Sequence, residues 1–117
     1  MARVEWCVTP AGLLQVRIAE HFLARALGLL VGAPLEATEG LLIAPCASIH
    51  TIGMRYLIDV VFLDREARVM RVCPEVAAGR ARFAPGARGV LELRGGTAAH
   101  YGLARGVELP ELVAALG

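Results

Sequence analysis

Two apolar runs with a short polar segment between them, all within residues 40–64, constrain the fold of this chain more than any other feature of its sequence. Residues 41–44 and 57–63 are apolar on both faces of an extended chain, which is typical of strands buried in a sheet. Pro45 has no N–H to donate to a neighbouring strand, so the first run ends there. The sequence therefore predicts two buried strands that hold a polar segment between them.

The N-terminal third of the chain shows two different hydrophobic periods. Residues 4–8 and 14–19 flank a Thr-Pro-Ala-Gly turn, and the second of these segments alternates apolar and polar residues. This pattern predicts a β-hairpin with one wet face. In residues 20–30 the apolar residues fall three and four apart, which predicts a helix that ends at Gly32 and Pro34.

The C-terminal half adds further short elements. Residues 68–73 and 89–94 are predicted strands, and Pro74 is expected to end the first of them. Residues 75–88 have no clear period and predict a long loop. Thr97 is placed to cap a short helix that reaches about residue 104, and Pro110 is placed to begin a final helical turn.

This element order predicts an α+β domain, with a mostly antiparallel curled sheet or small β-barrel and two to three short flanking helices. The chain has 117 residues, of which 56% are hydrophobic. That length suits one domain over residues 1–117, and that composition is sufficient for a core.

Composition and charge limit the classes of partner that the protein is expected to bind. The chain has twelve arginines, no lysine and eleven acidic residues. Its net charge of +1 gives no global polyanion-binding signature. Six aromatic residues that do not alternate with basic ones argue against nucleic acid binding. Residues 22–31 are too short to span a bilayer, and the N-terminal residues lack the pattern of an export signal. We therefore expect a cytoplasmic protein without membrane insertion.

Cys46 and His50 lie four residues apart, and a thiolate beside an imidazole is an arrangement that activates a nucleophile. For each residue we favour a structural role. Cys46 is then an inert core cysteine, and His50 is a structural histidine bonded to a backbone carbonyl. Cys73, His21 and His100 are the other possible zinc ligands, but no pair has the local spacing of a zinc site. We expect no metal and no cofactor.

The carboxyl groups of Asp59 and Glu92 are the other candidates for chemistry. Asp59 falls on an apolar strand face, where it needs partners. It is either catalytic or a structural cap for the loop between His50 and Arg55. Glu92 falls on the more polar face of its strand, and solvation is its simplest role. Alternatively Glu92 approaches Asp59 or His50 to form a paired-carboxylate or charge-relay site.

Several short segments together resemble the prokaryotic domain of unknown function 192 (DUF192) family. The segments are residues 25–30, 40–43, 58–64, 90–93, 96–98 and 102–106, in the family's order. The resemblance implies a mostly-β domain whose biochemical activity is not established. The chain departs from the family at His50, where many members have tryptophan. It departs again at Ala67, which replaces the usual glycine of the turn after Asp64 and suggests a turn without a left-handed residue.

The sequence favours a non-catalytic binding or accessory module with a polar site in residues 46–59. His50, Thr51, Arg55 and Asp59 are expected to form a concave site for a small anionic ligand or an acidic protein partner.

Two other classes of function remain as alternatives. One is a hydrolase-like enzyme with His50 as base and Asp59 or Glu92 orienting it, which requires His50 within hydrogen-bond reach of a carboxylate. The other is a protein-interaction domain of an envelope or secretion assembly, which requires an exposed apolar patch. Arg80, Arg82 and Arg88 in the predicted loop can clamp an anion or form a solvated face.

Overall fold

Short β-strands make up most of the regular secondary structure in the described residues. The computed structural model describes residues 3–19 and 35–117. Within them the strands are β1 (Arg3–Thr9), β2 (Gly12–Ala19), β3 (Glu39–Ile43), β4 (Ser48–His50), β5 (Ile58–Leu63), β6 (Val69–Val76), β7 (Ala81–Phe83) and β8 (Gly89–Arg94). The helical elements there are α1 (Thr97–His100), a 3₁₀ turn (Pro110–Leu112) and α2 (Val113–Leu116). The helix predicted for residues 20–30 lies outside the described residues.

Six strands form the main sheet, in the order β1-β2-β3-β8-β5-β6. Neighbouring strands are antiparallel except β2 and β3, which run parallel. The α+β class and the mostly antiparallel sheet are therefore confirmed. The small-barrel form of the prediction is wrong, because β1 and β6 are opposite edges of an open sheet. Pro74 contributes to this, since it leaves β6 without one N–H that a further strand would need.

The two faces of the sheet each bury an apolar cluster. The first cluster joins one face to the C-terminal elements and includes Val61, Leu63, Leu109 and Leu112. The second cluster lies on the other face and includes Val60, Phe62, Met54 and Ala84. Every residue of β5 is buried, which confirms the prediction of a central strand with no wet face.

The segment predicted as a loop contains a strand. β7 pairs antiparallel with β4, with Ser48 opposite Phe83 and His50 opposite Ala81, and the two form a separate two-stranded sheet. The loop prediction for residues 75–88 is therefore wrong in part, because three-residue strands are too short to show a period. β6 also continues through Pro74 to Val76, since an edge strand tolerates a proline.

Two further local predictions are corrected by the structure. Ala67 has a left-handed backbone with φ of 59°, although the replacement of glycine suggested a turn without such a residue. Asp64 Oδ1 stabilises this turn by accepting bonds from the N–H groups of Glu66 and Arg68, both at 2.9 Å. The N-cap of α1 is Gly96, not Thr97, and α1 ends at His100. The predicted hairpin and the helical turn at Pro110 are confirmed.

Candidate binding site

Asp59 is fully buried on β5 and is bonded to backbone N–H groups. Its Oδ1 accepts bonds from the N–H groups of Glu75 (2.8 Å) and Gly96 (3.1 Å), and its Oδ2 accepts one from Ala98 (2.8 Å). The N-cap residue of α1 makes no side-chain bond, so Asp59 caps this helix from an adjacent strand. These bonds offset the cost of burying the carboxylate. The prediction that Asp59 caps residues 50–55 is wrong.

Thr51 is buried directly after β4, and its hydroxyl group is also used within the protein. Thr51 Oγ1 donates to the carbonyl oxygen of Ala77 (2.6 Å) and accepts a bond from the N–H of Arg80 (2.8 Å). The backbone N–H of Thr51 donates to the carbonyl oxygen of Arg80 (2.8 Å). Thr51 therefore fixes residues 77–80 against the end of β4.

The structure does not bring Asp59 together with the other three predicted ligand-binding residues. Ile58 and Val60 belong to the second apolar cluster, to which Met54 also belongs, so Asp59 between them faces the opposite side of the sheet. His50 and Arg55 are exposed. Of the predicted set, these two side chains are open to a ligand.

His50 has no carboxylate partner among the described residues. The ion pairs there join Arg3 to Glu5, Arg17 to Glu39 and Arg68 to Glu108. The arrangement that a histidine base needs is therefore not seen in this part of the chain.

Cys46 is half-buried and packs against the second apolar cluster. Its Sγ donates to the carbonyl oxygen of Ser48 at 2.9 Å, and its N–H donates to the carbonyl oxygen of Arg88 at 3.1 Å. In residues 3–19 and 35–117, no three histidine, cysteine, aspartate or glutamate residues lie close enough to hold a metal ion. His21 lies outside these residues.

Glu92 is buried on the face that the sequence indicated as the wetter one, so the prediction of a solvated Glu92 is wrong. It lies between Leu41 of β3 and Val60 of β5, and burial raises the pKa of its carboxyl group to about 8. Its Oε2 has no hydrogen-bond partner within the described structure. Because Asp59 pairs with Leu93, the two acids face opposite sides of the sheet, and no paired-carboxylate site forms.

The small β4–β7 sheet presents an exposed surface, which we call the ribbon surface and define as the outer side of β4 and β7 with Ile52 and Arg55. Ile52 and Phe83 are 64% and 63% exposed, and His50 is exposed on the same strand pair. Residues 46–57 and 71–88, which carry this surface and its supports, contain five arginines and one glutamate, a net charge of +4. The whole chain has +1, so the remainder has −3.

A second exposed apolar surface lies on the β1–β2 hairpin. This hairpin surface consists of Val4, Trp6 and Val8 of β1 and Leu13 of β2, with exposures from 41% to 64%. Sequence reasoning identified the hairpin but missed this surface. The signal was present in the alternate positions of Val4, Trp6 and Val8, which share one face of a strand.

The sequence model of the DUF192 family, described as "Uncharacterized ACR", matches residues 7–110. Two solved structures have a similar fold. A protein of unknown function from Novosphingobium aromaticivorans DSM 12444 has a TM-score of 0.77 and 22% identity, over 92% of this chain and 83% of its own. A proposed transcription regulator from Sinorhizobium meliloti 1021 has a TM-score of 0.76 and 19% identity, over 92% and 91%.

At these identities the two structures show the fold alone. The comparison with curated proteins found no match. Within the described residues there is no helix long and apolar enough to cross a membrane.

Proposed function

The chain belongs to the DUF192 family, and from its surface we propose that it is a non-catalytic binding module whose ribbon surface takes an acidic segment of a partner protein. One observation carries this proposal. Five arginines, Arg55, Arg71, Arg80, Arg82 and Arg88, lie in the segments that form and support the ribbon surface. In the described part of the chain none of them forms an ion pair with an aspartate or glutamate side chain, and Arg88 donates from its Nη2 to the main-chain oxygen of Gly117 at 3.1 Å.

Three of these arginines belong to β7, precede it or bond to it. Arg71 donates from its Nη1 to the carbonyl oxygen of Phe83 at 2.8 Å, and Arg82 lies on β7 opposite Ile49. Arg80 immediately precedes β7 and is held by Thr51. Guanidinium groups bind carboxylates through two parallel N–H donors, so arginines near the ribbon that have no aspartate or glutamate partner favour an acidic partner.

The exposed apolar side chains favour a protein segment over a small anion. Ile52 and Phe83 offer apolar area that a phosphate or a free carboxylate would leave in water. A chain that alternates acidic and apolar residues would cover both kinds of group. The arginines would then speed and orient association, and Phe83 and Ile52 would supply most of the buried apolar area.

The predicted ligand residues fit this proposal in two roles. His50 and Arg55 belong to the contact surface, whereas Thr51 positions it through bonds to residues 77–80. Asp59 supports the fold from the opposite face of the sheet. The choice of an acidic protein partner keeps one of the two predicted partner classes, and a small anion becomes an outcome of the test.

Fluorescence anisotropy with a labelled peptide that alternates glutamate with leucine or phenylalanine tests the proposal. We expect binding that weakens as salt concentration rises. Arg80→Glu and Phe83→Ala should each weaken it by about tenfold, which corresponds to about 1.4 kcal/mol. Arg105→Glu is the matched control, because Arg105 is exposed and lies outside both arginine-bearing segments. It should bind like the wild type.

Three results would contradict the proposal. Equal loss of binding in Arg80→Glu and Arg105→Glu would mean that net charge alone acts. Tighter binding of duplex DNA than of the peptide would assign the surface to a different partner. Stabilisation by inorganic phosphate, with no binding of the peptide, would indicate a small-anion site instead.

A further inference from the structure

The hairpin surface belongs to an edge strand whose outer side, among the described residues, is engaged by Glu111 at Val8. β1 is the first strand of the main sheet and pairs only with β2 in the described structure. Trp6 is 56% exposed and Val8 is 64% exposed. An exposed edge strand with apolar side chains is a template for pairing with another chain.

The backbone of the same residues points towards the open edge. The N–H of Val8 donates to Glu111 Oε2 at 3.2 Å, so this N–H faces away from β2. Backbone direction alternates along a strand, and the N–H and C=O groups of Val4 and Trp6 therefore face the open edge as well. Glu111 engages one end of the edge, while Val4 and Trp6 have no such contact in the described structure.

The edge is self-complementary. Read in either direction from Trp6, the outward residues of β1 give the order valine, tryptophan, valine. A two-fold axis at Trp6 would place Val4 opposite Val8 of a second copy and Trp6 opposite its own counterpart. A symmetric dimer requires such a patch, in which one surface is its own partner.

We propose that this chain forms a symmetric dimer in which β1 pairs antiparallel with β1 of a second copy about Trp6. The pairing joins two six-stranded sheets edge to edge and covers Val4, Trp6 and Val8. Backbone bonds supply the pairing, and the apolar side chains supply the buried area. This inference concerns a surface separate from the ribbon surface and does not depend on the proposed binding of an acidic partner.

A single tryptophan makes the proposal directly measurable. Trp6 is the only tryptophan of the chain, so its fluorescence reports on this surface alone. We expect the emission maximum to move to shorter wavelength as protein concentration rises. Sedimentation velocity over the same range should show monomer converting to dimer.

Three variants separate edge pairing from general association. Val8→Lys places a charge opposite Val4 of the second copy, within the apolar contact, and should raise the dissociation constant by about tenfold or more. Glu111→Ala releases the N–H of Val8 and should lower the dissociation constant several-fold. Ile52→Lys is the matched control, because Ile52 is as exposed as Val8 but lies on the ribbon surface, and it should dimerise like the wild type.

A monomer at all concentrations would overturn the proposal. So would a short-wavelength emission that does not change on dilution of a monomer, because the surface would then be covered within one chain. A dimer that Val8→Lys leaves intact would place the interface elsewhere, and a Glu111→Ala variant with unchanged affinity would contradict the backbone pairing. Peptide binding by a dimerisation-deficient Val8→Lys variant tests the ribbon surface separately.

Discussion

Among the described residues, Asp59 and Glu92 are the two buried acidic residues, and the protein accommodates them in opposite ways. Asp59 accepts three bonds from backbone N–H groups. Glu92 has apolar neighbours on both adjacent strands, and desolvation raises its pKa to about 8. Glu92 is therefore mostly neutral at pH 7. The same sheet buries a fully hydrogen-bonded acid on one face and, on the other, an acid whose Oε2 has no hydrogen-bond partner in the described structure.

We expect Asp59→Ala to lower the free energy of unfolding by about 3–5 kcal/mol, because three backbone N–H groups lose their buried acceptor. Urea denaturation measures the change. Asp64→Ala is the control, since Asp64 also accepts two backbone bonds but lies at a partly exposed turn, and it should cost about 1 kcal/mol. Asp59→Ala should also cost more than Glu92→Ala, and equal denaturation midpoints for these two variants would refute the assigned role.

Glu92 should make the protein less stable as pH rises. Its pKa in the folded state, about 8, lies above the ordinary value of 4.5, so the folded protein holds a proton that the unfolded chain releases. Stability is then fully present below about pH 4.5 and is lost progressively up to about pH 8. At about 1.4 kcal/mol per pKa unit, the loss amounts to several kcal/mol.

Urea denaturation at pH 5 and pH 8 measures this dependence. Glu92→Gln keeps the shape of the side chain and cannot ionise, so we expect it to flatten the difference between the two values. Glu108→Gln, at an exposed position, should keep the wild-type dependence. A wild-type slope in Glu92→Gln would assign the pH dependence to another group.

The purified protein is expected to hold no stoichiometric zinc, because its cysteines and histidines lack the paired spacing of a zinc site. Elemental analysis of untagged protein measures this. One zinc per chain would contradict the prediction and would direct attention to Cys46, Cys73 and the histidines.

At the scale of secondary-structure elements, the position of β7 beside β4 depends on Thr51. We expect Thr51→Val to leave the N–H of Arg80 and the carbonyl of Ala77 without this partner. The free energy of local opening of β7 should then fall by about 1–3 kcal/mol. Hydrogen exchange of residues 81–83 should then become faster, while β5 keeps its protection. Thr38→Val, at an exposed position, is the control. Uniformly faster exchange throughout the sheet would mean that Thr51 supports the whole fold instead.

Local patterns predicted the hairpin and the buried strands but missed the three-residue strands β4 and β7. Alternation identified the hairpin, and an apolar run interrupted only by Asp59 identified β5 as a buried central strand. β7 pairs with β4 over three residues, which is too short for a pattern and depends on contacts about 30 residues apart. Similarly, Ala67 adopts a left-handed backbone because Asp64 and the surrounding core fix the turn, against the preference of the residue itself.

The candidate site, like the fold, could be predicted only in part, because its contacts join residues far apart in the sequence. The sequence marked Asp59 as a buried acid that needs partners, but its partners lie 16 to 39 residues away and are backbone groups. The sequence correctly placed the side chain of Glu92 on the other face of its strand from Leu91 and Leu93. Alternation shows which residues share a face, however, and not whether the other face is also covered, so the burial of Glu92 was missed.

At the scale of the whole molecule, charge and apolar exposure are unevenly distributed. The ribbon surface combines exposed apolar residues with the arginine-bearing segments, whose net charge is +4, whereas the remainder of the chain has −3. The hairpin surface is apolar at a sheet edge and has an acidic neighbour, Glu111. On these differences we base two separate proposals: an acidic protein segment as the partner of the ribbon surface, and a second copy of the chain as the partner of the hairpin surface.

Mapping the acidic peptide onto the protein by NMR tests the central claim most directly. With 15N-labelled protein, we predict that the amide signals of residues 48–55 and 80–83 shift on titration and that those of β1 and the C-terminal elements do not. The shifts should disappear in Arg80→Glu and persist in Arg105→Glu. Shifts that cluster on the hairpin surface, or that spread evenly over exposed arginines, would contradict the assignment of the ribbon surface as the binding site.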